Sequence, residues 1–250
     1  MSINLYRSLK NKVVFITGGA TGIGAAMVKA FVHQQANVAF IDIDEGAAAK
    51  LSDDLGGRCW YRTIDVTNPE DLQQVINEVA VTFGSVDVLI NNVANDIRHK
   101  PEEITVRDWQ KCMQVNLDPA FFASQAAYNI MKKSNSGSII NFSSINALLA
   151  PENMTGYVTA KAGLIGMTKA LAHDFGGFNI RVNAILPGWV ATERQLAKWL
   201  TKAEENKWME TMALKKRIEP NDVANLALFL ASDDSAMISG QSIAVDGGKT

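Results

Sequence analysis

Only two cysteines, three histidines and six prolines occur in 250 residues, and each scarcity excludes something. Cys59 and Cys112 have neither metal-ligand spacing nor the even framework that staples small secreted domains, so reduced, buried thiols are expected. His33, His99 and His173 share no motif, which leaves no case for a metal site. Charge of one sign is lacking too. The 24 Lys and Arg against 26 Asp and Glu leave a formal net charge of −2, with no basic block for nucleic acid or an anionic membrane. No apolar run reaches the roughly 18–20 residues of a membrane span. Met1–Lys12 alternates polar and apolar residues where a signal peptide has an unbroken apolar core. Hydrophobic residues at 47% and charged residues at 20% rule out a disordered chain. The expectation is a folded cytoplasmic protein.

What the sequence does contain is a rhythm. Short apolar, β-branched runs recur at Val13–Thr17, Val38–Ile41, Trp60–Ile64, Val86–Ile90, Ser138–Phe142, Ile180–Ile185 and Ser242–Val245. Segments with helical spacing separate them, among them Ile23–Gln35, Pro69–Phe83, Pro119–Lys132 and Thr155–Phe175. Strand–helix alternation predicts βαβ units and a parallel sheet buried on both faces, hence a doubly wound α/β architecture. No linker divides residues 1–250, so one domain is expected. The rhythm breaks between Pro187 and Ala231, a stretch too long for a simple crossover that carries Trp189, Trp199 and Trp208. An insertion at about 188–218 on the carboxyl side of a parallel sheet is a place for gripping a ligand, or for a helical pair that closes the core.

Thr17-Gly18-Gly19-Ala20-Thr21-Gly22-Ile23-Gly24 follows the first strand and opens a helix. Glycines there let the backbone turn tightly and approach a pyrophosphate, whose charge meets the helix N-terminus. The same residues would also serve a purely structural turn. Asp42, at the end of the second strand and 18 residues after Gly24, favours the first reading, because an acid at that offset accepts from the adenosine ribose hydroxyls. It also repels a 2′-phosphate, and no Lys or Arg stands at Ala20, Thr21 or Ile43-Asp44-Glu45, so the chemistry favours NAD over NADP.

Tyr157 and Lys161 lie four apart on a helical segment and so share a face. A phenol, which ordinarily titrates near about pH 10, is a poor base at neutral pH. Lowering its pKa by roughly three units requires about 4 kcal/mol of differential stabilisation, which a neighbouring ammonium can supply. Ser144, 13 residues earlier at the end of a central strand, is placed to hold a substrate oxygen beside the phenol.

Taken in order, the Gly18/Gly22/Gly24 turn, Asp65-Val66, Asn91-Asn92, Asn116, Ser144, Tyr157-x3-Lys161, Pro187-Gly188 and the closing Ser239-Gly240 to Asp246-Gly247-Gly248 resemble the short-chain dehydrogenase/reductase family. The resemblance runs from about Leu9 to the C-terminus. It implies a Rossmann-like sheet of seven strands, usually assembled as a tetramer, and hydride transfer with a nicotinamide. It also implies roles. Tyr157 is the acid/base, Lys161 lowers its pKa and holds the nicotinamide ribose, and Ser144 orients the reacting oxygen. Asn116 anchors a water that relays the proton. Gly18, Thr21, Gly22, Ile23 and Gly24 take the pyrophosphate, Asp42 and Ile43 the adenosine ribose, and Asp65 and Val66 the adenine. Asn92 lies beside the cofactor, and Pro187, Val190 and Thr192 flank the carboxamide. One departure is Asn91-Asn92-Val93-Ala94, where family members read Asn-Asn-Ala-Gly, which puts the geometry of that loop in question.

The polar stretch Asn95-Asp96-Ile97-Arg98-His99-Lys100, with Asn141–Asn146 and Thr192–Gln195, is similar to the bacterial aldose 1-dehydrogenases of that family, which oxidise an anomeric hydroxyl to a lactone. Asp96, Arg98, Asn146, Gln195 and also His99 are candidate partners for sugar hydroxyls, and Trp189 or Trp199 for an apolar ring face. Blander readings pair Arg98 with Asp96 or Glu102 at the surface and make His99 a loop cap. Two other functions stay open: a ketoreductase acting on a 3-oxoacyl group, steroid or polyol, and a dinucleotide-binding module without chemistry. The complete Asn116/Ser144/Tyr157/Lys161 set argues against the second.

Overall fold

The structure, a computed structural model describing residues 4–250, is built on one sheet of seven parallel strands. Met1–Ile3, the start of the stretch read above against a signal peptide, lie outside the described residues. In chain order the elements are β1 (Val13–Thr17), α1 (Gly22–His33), β2 (Asn37–Asp42), α2 (Glu45–Asp54), β3 (Cys59–Thr63), α3 (Pro69–Phe83), β4 (Val88–Asn91), α4 (Val106–Asn116), α5 (Asp118–Ser134), β5 (Gly137–Phe142), α6 (Asn146–Leu149), α7 (Thr155–Gly176), β6 (Ile180–Pro187), α8 (Glu193–Lys198), α9 (Lys202–Glu210), α10 (Pro220–Ala231) and β7 (Ser242–Val245). The strand order is β3-β2-β1-β4-β5-β6-β7, with every pairing parallel.

The continuous apolar runs have a direct cause. Val14, Ile16, Val38, Phe40, Val88 and Ile90 face one side, against Met27, Val28 and Phe31 of α1 and Val223, Ala227 and Leu228 of α10. Their neighbours Val13, Phe15, Ala39, Ile41 and Leu89 face the other, against α3 and α5 through Leu72, Ile76, Ala123 and Met131. Alternate residues of each central strand thus enter opposite cores, which makes the apolar runs continuous rather than alternating. From β1 the chain first winds outward to β3, then returns to place β4 on β1's other side. The carboxyl ends of β1 and β4 therefore flank a topological switch point, where a crevice opens.

The end of the sheet under that crevice carries a buried polar network. Asn91 Nδ2 donates to Asn141 Oδ1 at 2.9 Å, and Asn141 Nδ2 donates to Thr168 Oγ1 of α7 at 3.0 Å. Some boundaries depart from the sequence reading. β6 runs on through Pro187, which is tolerated at the last strand position, and α2 and α4 are helices that the apolar spacing did not single out. The Pro187–Ala231 stretch divides: α8 and α9 follow the carboxyl end of β6, while α10 packs into the core. Cys59 and Cys112 are unpaired as expected, but only partly buried.

Gly24 illustrates how tightly α1 seats on the glycine turn. A Cβ there would lie 1.8 Å from the Gly18 carbonyl oxygen, so Gly24→Ala must push the helix off the turn. We expect chemical denaturation to show a loss of at least about 1–3 kcal/mol. Gly46→Ala, in the first turn of α2 with only the Asp44 carboxylate at 3.6 Å, should instead be neutral or stabilising by about 0.5 kcal/mol.

Candidate active site

A cleft of about 1030 Å³ lies over the carboxyl edge of the sheet. Its first end is the glycine turn. Gly18 and Gly22 hold φ of +66° and +54°, and the N–H groups of Gly18 and Gly19 both donate to the Ile41 carbonyl. Asn92 lines the cleft while bracing this turn: its Nδ2 donates to the Thr17 and Gly18 carbonyls at 3.1 and 2.9 Å. Thr21, Gly22, Ile23 and Gly24 complete this part of the lining. Thr21, the N-cap of α1, makes no side-chain cap, and no acidic residue stands in the helix's first turn. The N-terminal N–H groups and their dipole thus meet no anion from the chain's own side chains.

Asp42 closes β2 beside this turn. Its carboxylate accepts from Ala20 N at 2.9 Å and from Asp44 N at 3.2 Å, so it is held in place rather than waving in solvent. Ile43 is 71% exposed on the same rim, and Asp65 and Val66 form the next part of the wall. Asp65 Oδ1 is engaged by Thr67, through both its N–H and its hydroxyl. Ala94, at the family's glycine position, is not among the residues with positive φ, so the substitution strains nothing.

The chemical end hangs from β5 and α7. Lys161 is 1% exposed; its Nζ donates to the Phe142 carbonyl at 2.7 Å, and its own carbonyl accepts from Ser143 Oγ at 2.7 Å. These ties fix α7 against the strand end, and Tyr157, one turn earlier on α7, lines the cleft with Ser144 and Lys161. Ser144 Oγ accepts from Asn146 N at 3.1 Å. The Lys161 ammonium lies 5.7 Å from the Tyr157 ring centre. Electrostatics differ from the expectation of a softened phenol. Burial pushes Tyr157 up to about 12, opposed in part by the Ser144 hydroxyl, and burial brings Lys161 down to about 7. Each charged form is penalised by lost solvation, so a phenolate here requires its ammonium partner.

Asn116 departs from its expected place. It does not line the cleft. Its Oδ1 accepts from Asn95 N at 2.8 Å and its Nδ2 donates to the Asn95 and Cys112 carbonyls, so its side chain pins the 92–104 loop. The candidate sugar ligands likewise hold one another. Asp96 accepts from Arg194 at 2.7 Å and from Gln195 Nε2 at 3.0 Å, while Gln195 Oε1 accepts from Trp189 Nε1 at 2.8 Å. Arg98 pairs with neither Asp96 nor Glu102; its guanidinium stacks over Trp199, 4.9 Å from the ring centre. His99 is a cap: its Nε2 accepts from Gly156 N at 3.4 Å, at the start of α7. Asn146 stays on the cleft wall, as do Pro187, Val190 and Thr192, the last capping α8 by accepting from Gln195 N. Sequence reasoning missed Arg194 as the partner of Asp96, 98 positions away, and Trp208 as a cleft residue; nothing local marks either.

Comparison with known proteins follows the same line. A family model described as enoyl-(acyl carrier protein) reductase matches residues 18–250. A protein of Rhizobium meliloti (strain 1021) named "Probable galactose dehydrogenase GalD" is 41% identical over 97% of this chain and 96% of its own. The D-xylose 1-dehydrogenase of Caulobacter vibrioides (strain NA1000 / CB15N) is 43% identical over 99% of both chains. A crystal structure from Sinorhizobium meliloti 1021, described as a short-chain alcohol dehydrogenase, superposes with a TM-score of 0.91 at 30% identity, covering 98% of each chain. With the Ser144–Tyr157–Lys161 arrangement over a doubly wound sheet, these similarities lead to one conclusion: the chain belongs to the short-chain dehydrogenase/reductase family.

Proposed function

We propose that this protein oxidises the anomeric hydroxyl of an aldose to a lactone, with NAD as hydride acceptor. The observation that carries the chemistry is the convergence of Ser144, Tyr157 and a buried Lys161 in the same cleft as the glycine turn and Asp42. The two relatives named for galactose and xylose oxidation support the substrate class.

The residues suit a dinucleotide. The uncapped start of α1 would take the pyrophosphate, Asp42 the ribose hydroxyls, Asp65 and Val66 the adenine, and Val190 and Thr192 the carboxamide. When bound, the oxidised nicotinamide accepts the hydride. Everything else is done by the chain. Ser144 Oγ holds the substrate oxygen, Tyr157 Oη takes its proton, and Lys161 stabilises the phenolate that must form first. The carboxylate of Asp42 would repel a 2′-phosphate, which supports NAD over NADP. Partly buried, unpaired thiols suit a reducing cytoplasm. A homotetramer is the proposed assembly: Ala162 and Gly166 of α7 are exposed, and beside them Phe121 rims an apolar hollow with Leu117, Phe122 and Met167, where a second copy can seat.

Turnover of a panel of aldoses with NAD, followed by nicotinamide absorbance, tests the whole reading; ketone reduction without aldose oxidation would overturn the sugar assignment. Tyr157→Phe should lower turnover by at least about 10²-fold while NAD still binds. Because the phenolate is the working base and burial raises its pKa, oxidation should climb from neutral to alkaline pH and the reverse reduction of the lactone should fall over the same range. A profile without slope in either direction would remove the Tyr157–Lys161 pair from the rate-limiting step. Asp42→Asn keeps one carbonyl-type acceptor for the turn but loses the charge, so the ratio of kcat/KM for NAD over NADP should fall by about tenfold or more in steady-state kinetics.

A further inference from the structure

One group on the cleft wall has chemistry that the fold leaves unused. Trp208, in the last turns of α9, is held on two sides: its ring meets Trp189 edge-to-face at 5.5 Å between centres, and the Lys249 ammonium lies 5.0 Å from its centre. It also packs on the small cluster of Ile145, Ala184 and Leu186, and Ile145 is the residue directly after Ser144. The indole is therefore fixed beside the serine loop. Yet its Nε1–H is buried and has no acceptor among the described residues. The other indole of the pair is satisfied, since Trp189 Nε1 donates to Gln195. Both oxygens of the Asp96 carboxylate, in the same cleft, are occupied by Arg194 and Gln195.

An indole N–H donates and cannot accept, and buried donors without partners are rare enough in native proteins to require a reason. We propose that Trp208 Nε1–H is a specificity-determining donor for a hydroxyl oxygen of the sugar, distinct from the oxygen engaged by Ser144 and Tyr157. This rests on the sugar-oxidation reading above and deepens it. A buried donor that only the correct substrate satisfies rejects analogues lacking that oxygen more strongly than an apolar wall can. The neutral donor also fits a neutral polyol better than an anionic acyl carrier substrate.

Trp208→Phe removes the N–H while keeping an aromatic body. With D-xylose and D-galactose, KM for the sugar should rise about tenfold, while KM for NAD and kcat should stay within about threefold. For one monodeoxy sugar, wild type and variant should have the same KM, which identifies the oxygen concerned. In ¹⁵N-labelled wild-type protein, one of five indole resonances, the one missing from the variant, should move downfield when sugar is added with reduced cofactor. That measurement stands even if the variant fails to fold. An unchanged sugar KM with a lowered melting temperature would overturn the proposal and make the N–H a structural donor resting on the Trp189 ring. An equal rise in KM for NAD and sugar would overturn it too, since the indole would then act through the fold. Failure of the wild type to oxidise any aldose would instead strike the proposed function, a result separate from these.

Discussion

The site depends on a double tie between β5 and α7. Lys161 donates its ammonium to the Phe142 carbonyl, and the Ser143 hydroxyl donates back to the Lys161 carbonyl. Both bonds are buried, so breaking either would leave a polar group unsatisfied in a place water does not reach. They hold a helix to the end of a strand at one separation, and that separation sets Ser144 and Tyr157 on the same cleft wall. The polar network beneath, from Asn91 through Asn141 to Thr168, anchors the same helix further along. A lysine buried this deeply is unfavourable in itself, since burial opposes its charge. The fold keeps it in the one place where its charge can meet a phenolate and its amine can brace the backbone.

A second constraint is the stapling of the loop after β4. Asn95 is tied to Asn116 of α4, Asp96 to α8, Arg98 to Trp199 and His99 to the start of α7. Four residues of this loop are thus fixed by three helices, α4, α7 and α8 with its C-cap Trp199. Polar side chains that resemble substrate ligands are first of all ligands to one another. A preformed polar wall limits which hydroxyl patterns enter, because a sugar must match donors and acceptors already in position rather than recruit them. That leaves the direct contacts to groups not so engaged, with Trp208 the clearest among them.

How much of this was legible varied with the physical signal. β1, β2, β4, β5 and β6 could be read because burial on both faces demands unbroken apolar runs, and α3 because Asn68, Pro69 and Gly84 mark its ends. α2 and α4 could not be read that way. Glu45–Asp54 buries only Ala48, Leu51 and Ser52, and the stripe of Val106, Trp109 and Met113 in Val106–Asn116 is short and only partly buried, so neither announces itself as a core helix. Gly24 read as a phosphate-turn glycine, whereas its tightest requirement is steric, against Gly18.

Local covalent facts were therefore present in the chain from the start: which segments alternate, where glycine permits a turn, and that Tyr157 and Lys161 share a helix face. Each follows from the periodicity and rotational freedom of neighbouring residues. Which carboxylate meets which guanidinium, whether Asn116 faces the cleft or the loop, and how far burial displaces the phenol and the ammonium were decided only in three dimensions. Those are properties of desolvation and of contacts between residues up to 99 positions apart, and neither has any trace in nearest-neighbour order.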